Sequence, residues 1–441
     1  MTTDPREAFW RPGIDDGVYL LSDPQPHWRQ VDGANITSIA ISEHRKINIR
    51  WREEEQKIIE ERRYKAPVEY NSVPVVVTGL TVADTHLAVG DKWLLSGAAG
   101  ERVAGASFRA WKRAGRDPQD WNDRFTNHFD ECQQGGGRVD TWDSPVSGLD
   151  FVFEARNLKN YYHFKKELFC NLTLLDEVDG FDGQVQIVCE DPTVPGFVQR
   201  FLDEVFPELS GRVHFVTGPK TFTRALTVWQ CDFAYFQSSD HRIDGLFGAG
   251  HDFADGQFSP GKFKSLRHNG YHRAVRLLRE RSLALSAEAE QTDWPRKFWV
   301  GRRPTPGHDR SVKNEDRIIA ELARNGFGVV YFEDLTPLRQ IRVMNDAQTM
   351  ASFHGAGFTN LMYAAPDARV VELGTLQSGM LRLGDFAGLA HASGADYSVA
   401  IADYEYDGNR VIPPMRGHGL YPVRITDQGV DRLVEHILDQ A

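Results

Sequence analysis

Residues 297–373 alternate between short apolar runs and segments of helical spacing, and this alternation restricts the fold of the chain more than any other feature. The runs at 297–300, 328–332, 349–353 and 369–373 predict strands, and the segments at 316–324, 338–345 and 359–364 predict helices. Strands that alternate with helices form mostly parallel sheets joined by crossover helices. We therefore predict an α/β domain over residues 297–425, followed by an amphipathic helix in residues 426–441.

The same alternation occurs upstream. Strands are predicted at 183–189 and 213–216, and helices at 164–175 and 197–205. A basic helix at about 262–283 leads into an acidic stretch ending at Pro295, which we interpret as a linker over residues 287–296. The N-terminal domain then spans residues 1–286. Its residues 1–150 are poorly assigned, because only the runs at 75–78 and 93–95 look like strands.

Length and charge exclude some classes of protein. A chain of 441 residues is expected to form two or three domains. The net charge of −11 argues against a nucleic-acid binder, whose affinity depends on Lys and Arg at phosphates, but it allows a local basic pocket for one phosphorylated ligand.

The cysteines and the hydropathy of the chain indicate the cellular compartment in which we expect the protein. The four cysteines form no C-x-x-C pair, so we expect free buried thiols in a reducing environment. No basic-then-apolar leader and no run of about 18 apolar residues is seen. We therefore expect a cytoplasmic protein with no membrane span, for which peripheral contact with a membrane stays open.

The turn after the predicted strand at 349–353 is the best candidate for a ligand site. It reads His354, Gly355, Ala356, Gly357, Phe358, Thr359, Asn360. The small residues let backbone N–H groups approach a ligand, and a helix that begins here favours a phosphate. Thr359 and Asn360 can cap the helix or bond a phosphate oxygen, and a plain glycine-rich turn remains the alternative.

Other polar residues follow neighbouring predicted strands. Arg302 and Arg303 come directly after the strand at 297–300, and Glu372 lies near the end of the strand at 369–373. Ligands of open α/β sheets bind outside these strand ends, and arginine binds phosphate in a bidentate manner. Glu372 could accept hydrogen bonds from ribose hydroxyls. Asn314, just before a predicted helix, is either a further ligand contact or a helix N-cap.

A second candidate site lies in the N-terminal half. His163 and Glu167 are four residues apart and share one face of a predicted helix. Such a pair can act as acid or base, although a surface ion pair is the alternative. The sequence has no Asp-x-Asp triplet, no Walker motif and no strand-associated G-x-G-x-x-G, which weakens kinase and dehydrogenase hypotheses.

These residues together resemble a known family. The segment from His354 to Asn360, followed by PDARVVEL at 366–373, is similar to the signature of glycosyltransferase family 61. The strand ending in Arg302, the pair Asn314-Glu315, and NYYHFKKE at 160–167 also resemble that family, whereas residues 1–150 are not covered. Phe358 stands in place of the usual leucine, and Lys165 and Lys166 replace an apolar pair.

The resemblance implies a GT-B-like fold, with two Rossmann-like α/β domains facing a cleft. It further implies an inverting, metal-independent hexosyl- or pentosyltransferase of polysaccharide biosynthesis, with a UDP-sugar donor, a glycan or other hydroxyl acceptor, and no cofactor besides the donor. Arg302 and the segment from Gly355 to Asn360 would hold the diphosphate, with Arg303, Asn314 and His354 in the same donor site. Glu372 would hold ribose, and Glu167, alone or with His163, would take the acceptor proton.

Two other functions stay open. One is a nucleotide-sugar epimerase on the same architecture, and the other is a non-catalytic protein that binds a nucleotide or a glycan.

Overall fold

A computed structural model describes residues 3–22, 28–61, 67–83, 85–134, 139–233, 270–288, 293–303, 312–416 and 420–439. Contacts divide the chain into two compact units. The first comprises Met1–Val31 and Lys65–Leu278, and the second comprises Asp32–Tyr64 and Arg279–Ala441. Part of the N-terminal sequence, which the analysis above leaves unassigned, therefore belongs to the second unit.

Strands are numbered along the chain. In the described part of the first unit they are β1 (Val18–Leu20), β2 (Trp28–Gln30), β4 (Val68–Tyr70), β5 (Ser72–Val82), β6 (Leu87–Val89), β7 (Lys92–Trp93), β8 (Phe151–Ala155), β9 (Val185–Cys189), β10 (Val213–Thr217), β11 (Lys220–Gln230) and β12 (Gly270–His272). The main sheet has the order β10-β9-β8-β11-β5-β6-β7, with β1 also paired to β5, and β12-β4-β2 form a small second sheet.

The main sheet of the first unit is mixed. Strands β8, β9 and β10 run parallel, as the alternating pattern predicts, and β11 is parallel to β8. Strand β5 pairs antiparallel with β11, β1 and β6, so the prediction of a mostly parallel sheet is wrong for this half of the sheet. The difference arises because most of the antiparallel strands come from residues 18–93, where few strands are predicted.

Helices of the first unit cover its sheets. In the described residues they are α1 (Pro5–Ala8), α3 (Gly97–Arg113), α4 (Pro118–Gln134), α5 (Tyr161–His163) and α6 (Gly196–Val205), while α7 (Arg273–Ala287) begins in this unit. After α5 the chain forms a π-helical turn at Phe164–Leu168 and a 3₁₀ helix at Phe169–Glu177. The basic helix predicted from about 262 starts only at Arg273, since β12 precedes it, and residues 261–269 lie outside the described residues.

The second unit contains a largely parallel sheet. Its described strands are β3 (Ile36–Ala40), β13 (Lys297–Val300), β14 (Val312–Lys313), β15 (Gly328–Val330), β16 (Thr349–Phe353), β17 (Arg369–Thr375), β18 (Asp396–Tyr404) and β19 (Val423–Arg424). The order is β14-β19-β18-β17-β16-β13-β15, with β3 paired in parallel to β18. The strands predicted at 297–300, 328–332, 349–353 and 369–373 are confirmed as β13, β15, β16 and β17, with small differences at their ends.

The described helices of the second unit are α2 (Arg45–Glu61), α8 (Glu315–Arg324), α9 (Pro337–Asp346), α10 (Leu376–Ser393) and α11 (Asp427–Leu438), and a 3₁₀ helix spans Ala356–Tyr363. Helix α11 confirms the amphipathic helix predicted near the C-terminus: Val430, Leu433 and Ile437 are buried in the core of this unit. Residues 289–292 of the predicted linker lie outside the described residues.

Two general expectations can be compared with the structure. All four cysteines are free and buried, as predicted. No helix in the described ranges combines the length and the apolar character needed to cross a membrane.

Candidate active site

The carboxyl ends of three parallel strands meet at one edge of the sheet in the second unit. Strands β15 and β16 both pair in parallel with β13, so the chain leaves all three strands on the same side. A pocket opens there, lined by residues that follow these strands, including Arg302, Glu333 and Gly357. This is the place at which open α/β sheets bind ligands.

Arg302 lies directly against the glycine turn. A Cβ atom built on Gly355 would stand 1.4 Å from Arg302 Nη2, so a side chain at this position would force the guanidinium to move. Arg302 Nη2 also donates to the carbonyl of His354 at 3.3 Å, and Cζ lies 4.3 Å from the ring centroid of Phe353. Because Gly355 has an extended backbone (φ 172°), the requirement for glycine is one of space.

The turn continues into the 3₁₀ helix at Ala356–Tyr363, where a helix was predicted from 359. The side chains of Thr359 and Asn360 are completely buried. Thr359 donates to the carbonyl of Ala356 at 2.7 Å, and Asn360 Nδ2 donates to Gln340 Oε1 at 3.3 Å. Ala356 and Gly357 are half-exposed, so the backbone of the turn, and not these two side chains, faces a potential ligand.

His354 is held by a buried carboxylate. Its Nδ1 lies 2.6 Å from Glu372 Oε1, and the hydroxyl of Tyr397 donates to Glu372 Oε2. Burial and the neighbouring Glu372 raise the pKa of Tyr397 well above its usual value, so this hydroxyl stays a donor. Both oxygens of Glu372 are therefore engaged inside the protein, and the ring of His354 is fixed with Nε2 as the nitrogen left for a ligand.

The remaining predicted donor-site residues are tied to other parts of the second unit. Arg303 is exposed, forms an ion pair with Asp334 and lies 3.9 Å from the ring centroid of Tyr331. Asn314 precedes α8 with a left-handed backbone (φ 82°) and donates to Asp427 Oδ1 at 3.0 Å, but it makes no side-chain cap. The structure thus groups Arg302, His354 and the glycine turn, and leaves Arg303 and Asn314 in separate contacts.

Glu315, next to Asn314, lies close enough to Arg302 for their charges to interact. It accepts a hydrogen bond from the indole of Trp299 at 2.7 Å. Burial raises the pKa of Glu315, and the charge of Arg302 acts in the opposite direction.

The second candidate site lies wholly in the first unit. His163 ends α5 and Glu167 belongs to the π-helical turn, and His163 Nδ1 lies 3.0 Å from Glu167 Oε1. The two side chains predicted to share a helix face are therefore in contact, although a π turn forms where an α-helix was expected. Such turns occur frequently at functional sites.

Two residues that sequence analysis missed complete this cluster. Arg102 Nη1 donates to Glu167 Oε2 at 3.4 Å, and Arg102 Nη2 donates to Glu154 Oε1. Arg102 lies on α3, whose buried residues Val103, Ser107 and Trp111 have helical spacing, so the helix could have been predicted from sequence. The contact with Glu167 could not, because it joins positions 65 apart with no local pattern.

Lys165 differs from its neighbours in this segment. It is completely buried, donates to the hydroxyl of Tyr161 at 2.5 Å and lies 4.7 Å from the ring centroid of Phe201. Burial lowers the pKa of Lys165 well below its usual value. The side chain of Lys165 is therefore part of the interior of this segment and does not reach its surface.

Part of the chain matches a known protein family. A sequence model of the family Glycosyltransferase 61 matches residues 161–371. Over this stretch the chain is similar to glycosyltransferase family 61. The match starts at the helix that carries His163, includes Arg302 and the glycine turn, and ends one residue before Glu372. This match supports glycosyltransferase activity, which requires a donor and an acceptor substrate. No curated protein matches the chain.

In the ranges that the structure describes, no group of three or more His, Cys, Asp or Glu side chains is arranged to hold a metal ion.

Proposed function

We propose that this glycosyltransferase transfers a sugar from a UDP-sugar to a hydroxyl acceptor with inversion, and that it does so without a metal ion. The observation that carries the proposal is the packing of Arg302 on Gly355 at the carboxyl ends of parallel strands. The guanidinium supplies a positive charge, and the small residues of the turn leave its backbone N–H groups accessible. Those are the groups that a leaving diphosphate requires.

The donor would bind at this edge of the second unit. Arg302 would neutralise the diphosphate, and the first N–H groups of the 3₁₀ helix, which lack partners within the helix, would donate to its oxygens. His354, oriented by Glu372, would offer Nε2 to the same group. Because Glu372 is engaged with His354 and Tyr397, we propose that it orients His354 and does not contact the ribose.

The acceptor would be activated by Glu167. In this step the acceptor oxygen forms a bond to the anomeric carbon, the bond from that carbon to the diphosphate breaks, and the acceptor proton passes to Glu167. The diphosphate leaves with the electron pair of the broken bond and is stabilised by Arg302. Two α/β units, one with each candidate site, support a GT-B arrangement as part of the proposal.

Binding of UDP in the presence of EDTA tests the donor site. Replacing Arg302 with Ala removes charge-assisted hydrogen bonds, so we expect titration calorimetry to show a loss of UDP affinity of about 10–100-fold. Arg296→Ala is the matched control, because Arg296 is an exposed arginine immediately before the other end of β13. Equal UDP affinity in Arg302→Ala and the unmodified protein would contradict the proposed site.

The reaction class can be tested separately. Each UDP-sugar that raises the thermal stability of the protein is incubated with and without acceptor extract. Transfer only in the presence of acceptor supports the proposal. Isomerised sugar formed without acceptor would favour an epimerase, and binding without any turnover would favour a non-catalytic protein.

A further inference from the structure

Arg102 is shared by two carboxylates beside the proposed base. It donates to Glu154 through Nη2 and to Glu167 through Nη1, and its Nε donates to the carbonyl of Thr85 at 3.0 Å. The side chains of Arg102, Glu154 and Glu167 are only 15%, 11% and 19% exposed. Three charges, with a net charge of −1, therefore lie together where solvent screens them weakly.

The carboxylates of Glu154 and Glu167 also line pockets of the first unit. Both residues border the same two small pockets. Glu154 comes from β8, whereas Glu167 comes from the π-helical turn. The pair therefore lies where an acceptor hydroxyl could reach Glu167.

The two contacts of Arg102 are unequal. The contact with Glu154 is short, whereas the contact with Glu167 is 3.4 Å long. If Glu154 carried no charge, the full positive charge of Arg102 would act on Glu167. A carboxylate paired closely with a guanidinium is a weaker base, because the ion pair favours its deprotonated form. Glu154 thus competes for the charge that would otherwise weaken Glu167.

We propose that Glu154 is a positioning residue that occupies Arg102 and so keeps Glu167 basic enough to take the acceptor proton. This inference rests on the proposed role of Glu167. Besides Arg102 and Glu154, the titratable groups near Glu167 include His163, 3.0 Å away, Cys170, whose pKa burial raises, and Arg156, which lines one of the two pockets. None of these replaces Glu154 as the partner of Arg102.

The first test compares turnover in Glu154→Gln, Glu167→Gln and a control. Glu190→Gln is that control, since Glu190 is an exposed carboxylate that follows the neighbouring strand β9. We expect Glu167→Gln to lower kcat about 10²–10⁴-fold and Glu154→Gln to lower it at least about 10-fold. UDP affinity should stay unchanged, and the acidic limb of the pH profile of kcat should move to lower pH in Glu154→Gln.

The double variant Glu154→Gln/Arg102→Gln should recover part of the lost kcat, because it removes both charges.

A second measurement needs no turnover. The protein is labelled with ¹³C at glutamate carboxyl groups, the signal of Glu167 is assigned by its loss in Glu167→Gln, and its titration midpoint is followed by NMR. We expect the midpoint to fall in Glu154→Gln and to stay in place in Glu190→Gln. An unchanged midpoint together with unchanged kcat in Glu154→Gln would overturn the inference, while a fully active Glu167→Gln would overturn the proposed base itself.

Discussion

At the scale of single residues, His128 shows how burial ties stability to pH. It is completely buried on α4 among Phe9, Phe125 and Phe129, and neither ring nitrogen has a hydrogen-bond partner in the described residues. Burial, helped by the positive charges of Arg11 and Lys92 and opposed by Asp15, lowers the pKa of His128 from 6.5 to about 3. The folded protein therefore keeps this ring neutral at pH values at which the unfolded chain protonates it.

The sign of the pH effect follows from linkage. As pH falls below 6.5, the unfolded state gains a proton that the folded state cannot bind, so stability is lost progressively down to about pH 3. Between pH 7 and pH 5 we expect His128 to account for about 2 kcal/mol of lost unfolding free energy. Urea unfolding at both pH values should show this loss in the unmodified protein and less of it in His128→Phe. The exposed His214, changed to Gln, serves as the control, and an equal pH dependence in His128→Phe would refute the assignment.

At the scale of elements, Glu69 joins the small sheet of the first unit to a helix. This buried carboxylate of β4 accepts two hydrogen bonds of 3.0 Å from Arg29 on β2 and one of 2.8 Å from Arg276 on α7. Burial alone would raise the pKa of Glu69, but the hydrogen bonds from Arg29 and Arg276 lower it below its usual value. Two strands and a helix thus depend on one charge.

Removing the negative charge of Glu69 should lower the stability of the first unit. Glu69→Gln removes a buried charge that accepts three hydrogen bonds, whereas Arg29 and Arg276 are 53% and 27% exposed and stay partly hydrated. We therefore expect Glu69→Gln to lower the unfolding free energy of the first unit by about 2–3 kcal/mol. Glu177→Gln is the control, because it breaks a pair with Arg273 on the same helix in which the carboxylate is 36% exposed, and it should cost about 1 kcal/mol or less. Equal shifts in thermal midpoint for the two variants would contradict this view of Glu69.

Elements also show what the sequence could and could not predict. Arg302 and His354 could be placed together because each follows a strand of one parallel sheet, and both strands have clear apolar patterns. The pairing of Glu372 with Tyr397 was missed, since β18 was not predicted and a strand-end position was assumed for a residue in the middle of β17. Strand β3 was missed because its five residues lie in a region without a detectable pattern, and its partner is far away in sequence.

At the scale of the whole molecule, residues 32–64 complete the second unit. Strand β3 pairs in parallel with β18, and Trp51 of α2 is almost completely buried against α10. A Cβ atom on Gly379 of α10 would lie 2.6 Å from Trp51 Cζ3, so glycine makes room for the indole, whose N–H donates to Ser38 at 2.8 Å. One indole therefore joins β3, α2 and α10.

Loss of the Trp51 indole should lower the stability of the second unit and leave the first unit unchanged. We expect Trp51→Ala to lower the unfolding free energy of the second unit by about 3–5 kcal/mol, through a cavity and lost transfer energy. Amide hydrogen exchange followed by mass spectrometry should then show faster exchange in β18 and α10, with β5 and β11 unaffected. Ile49→Ala, at a 45% exposed position of the same helix, is the control. Uniformly faster exchange in both units would contradict the assignment of residues 32–64.

The pairing of β3 with β18 has a consequence for biosynthesis. The amide of Ala34 donates to His391, a residue that follows 357 positions later. At translation rates of about 5–20 residues per second, that delay amounts to roughly 20–70 s. During this interval the nascent chain has an unpaired strand and an unburied tryptophan, so the second unit can be completed only after β18 has been made. Residues 32–64 are therefore a segment of the newly made chain that chaperones would have to protect until β18 is made.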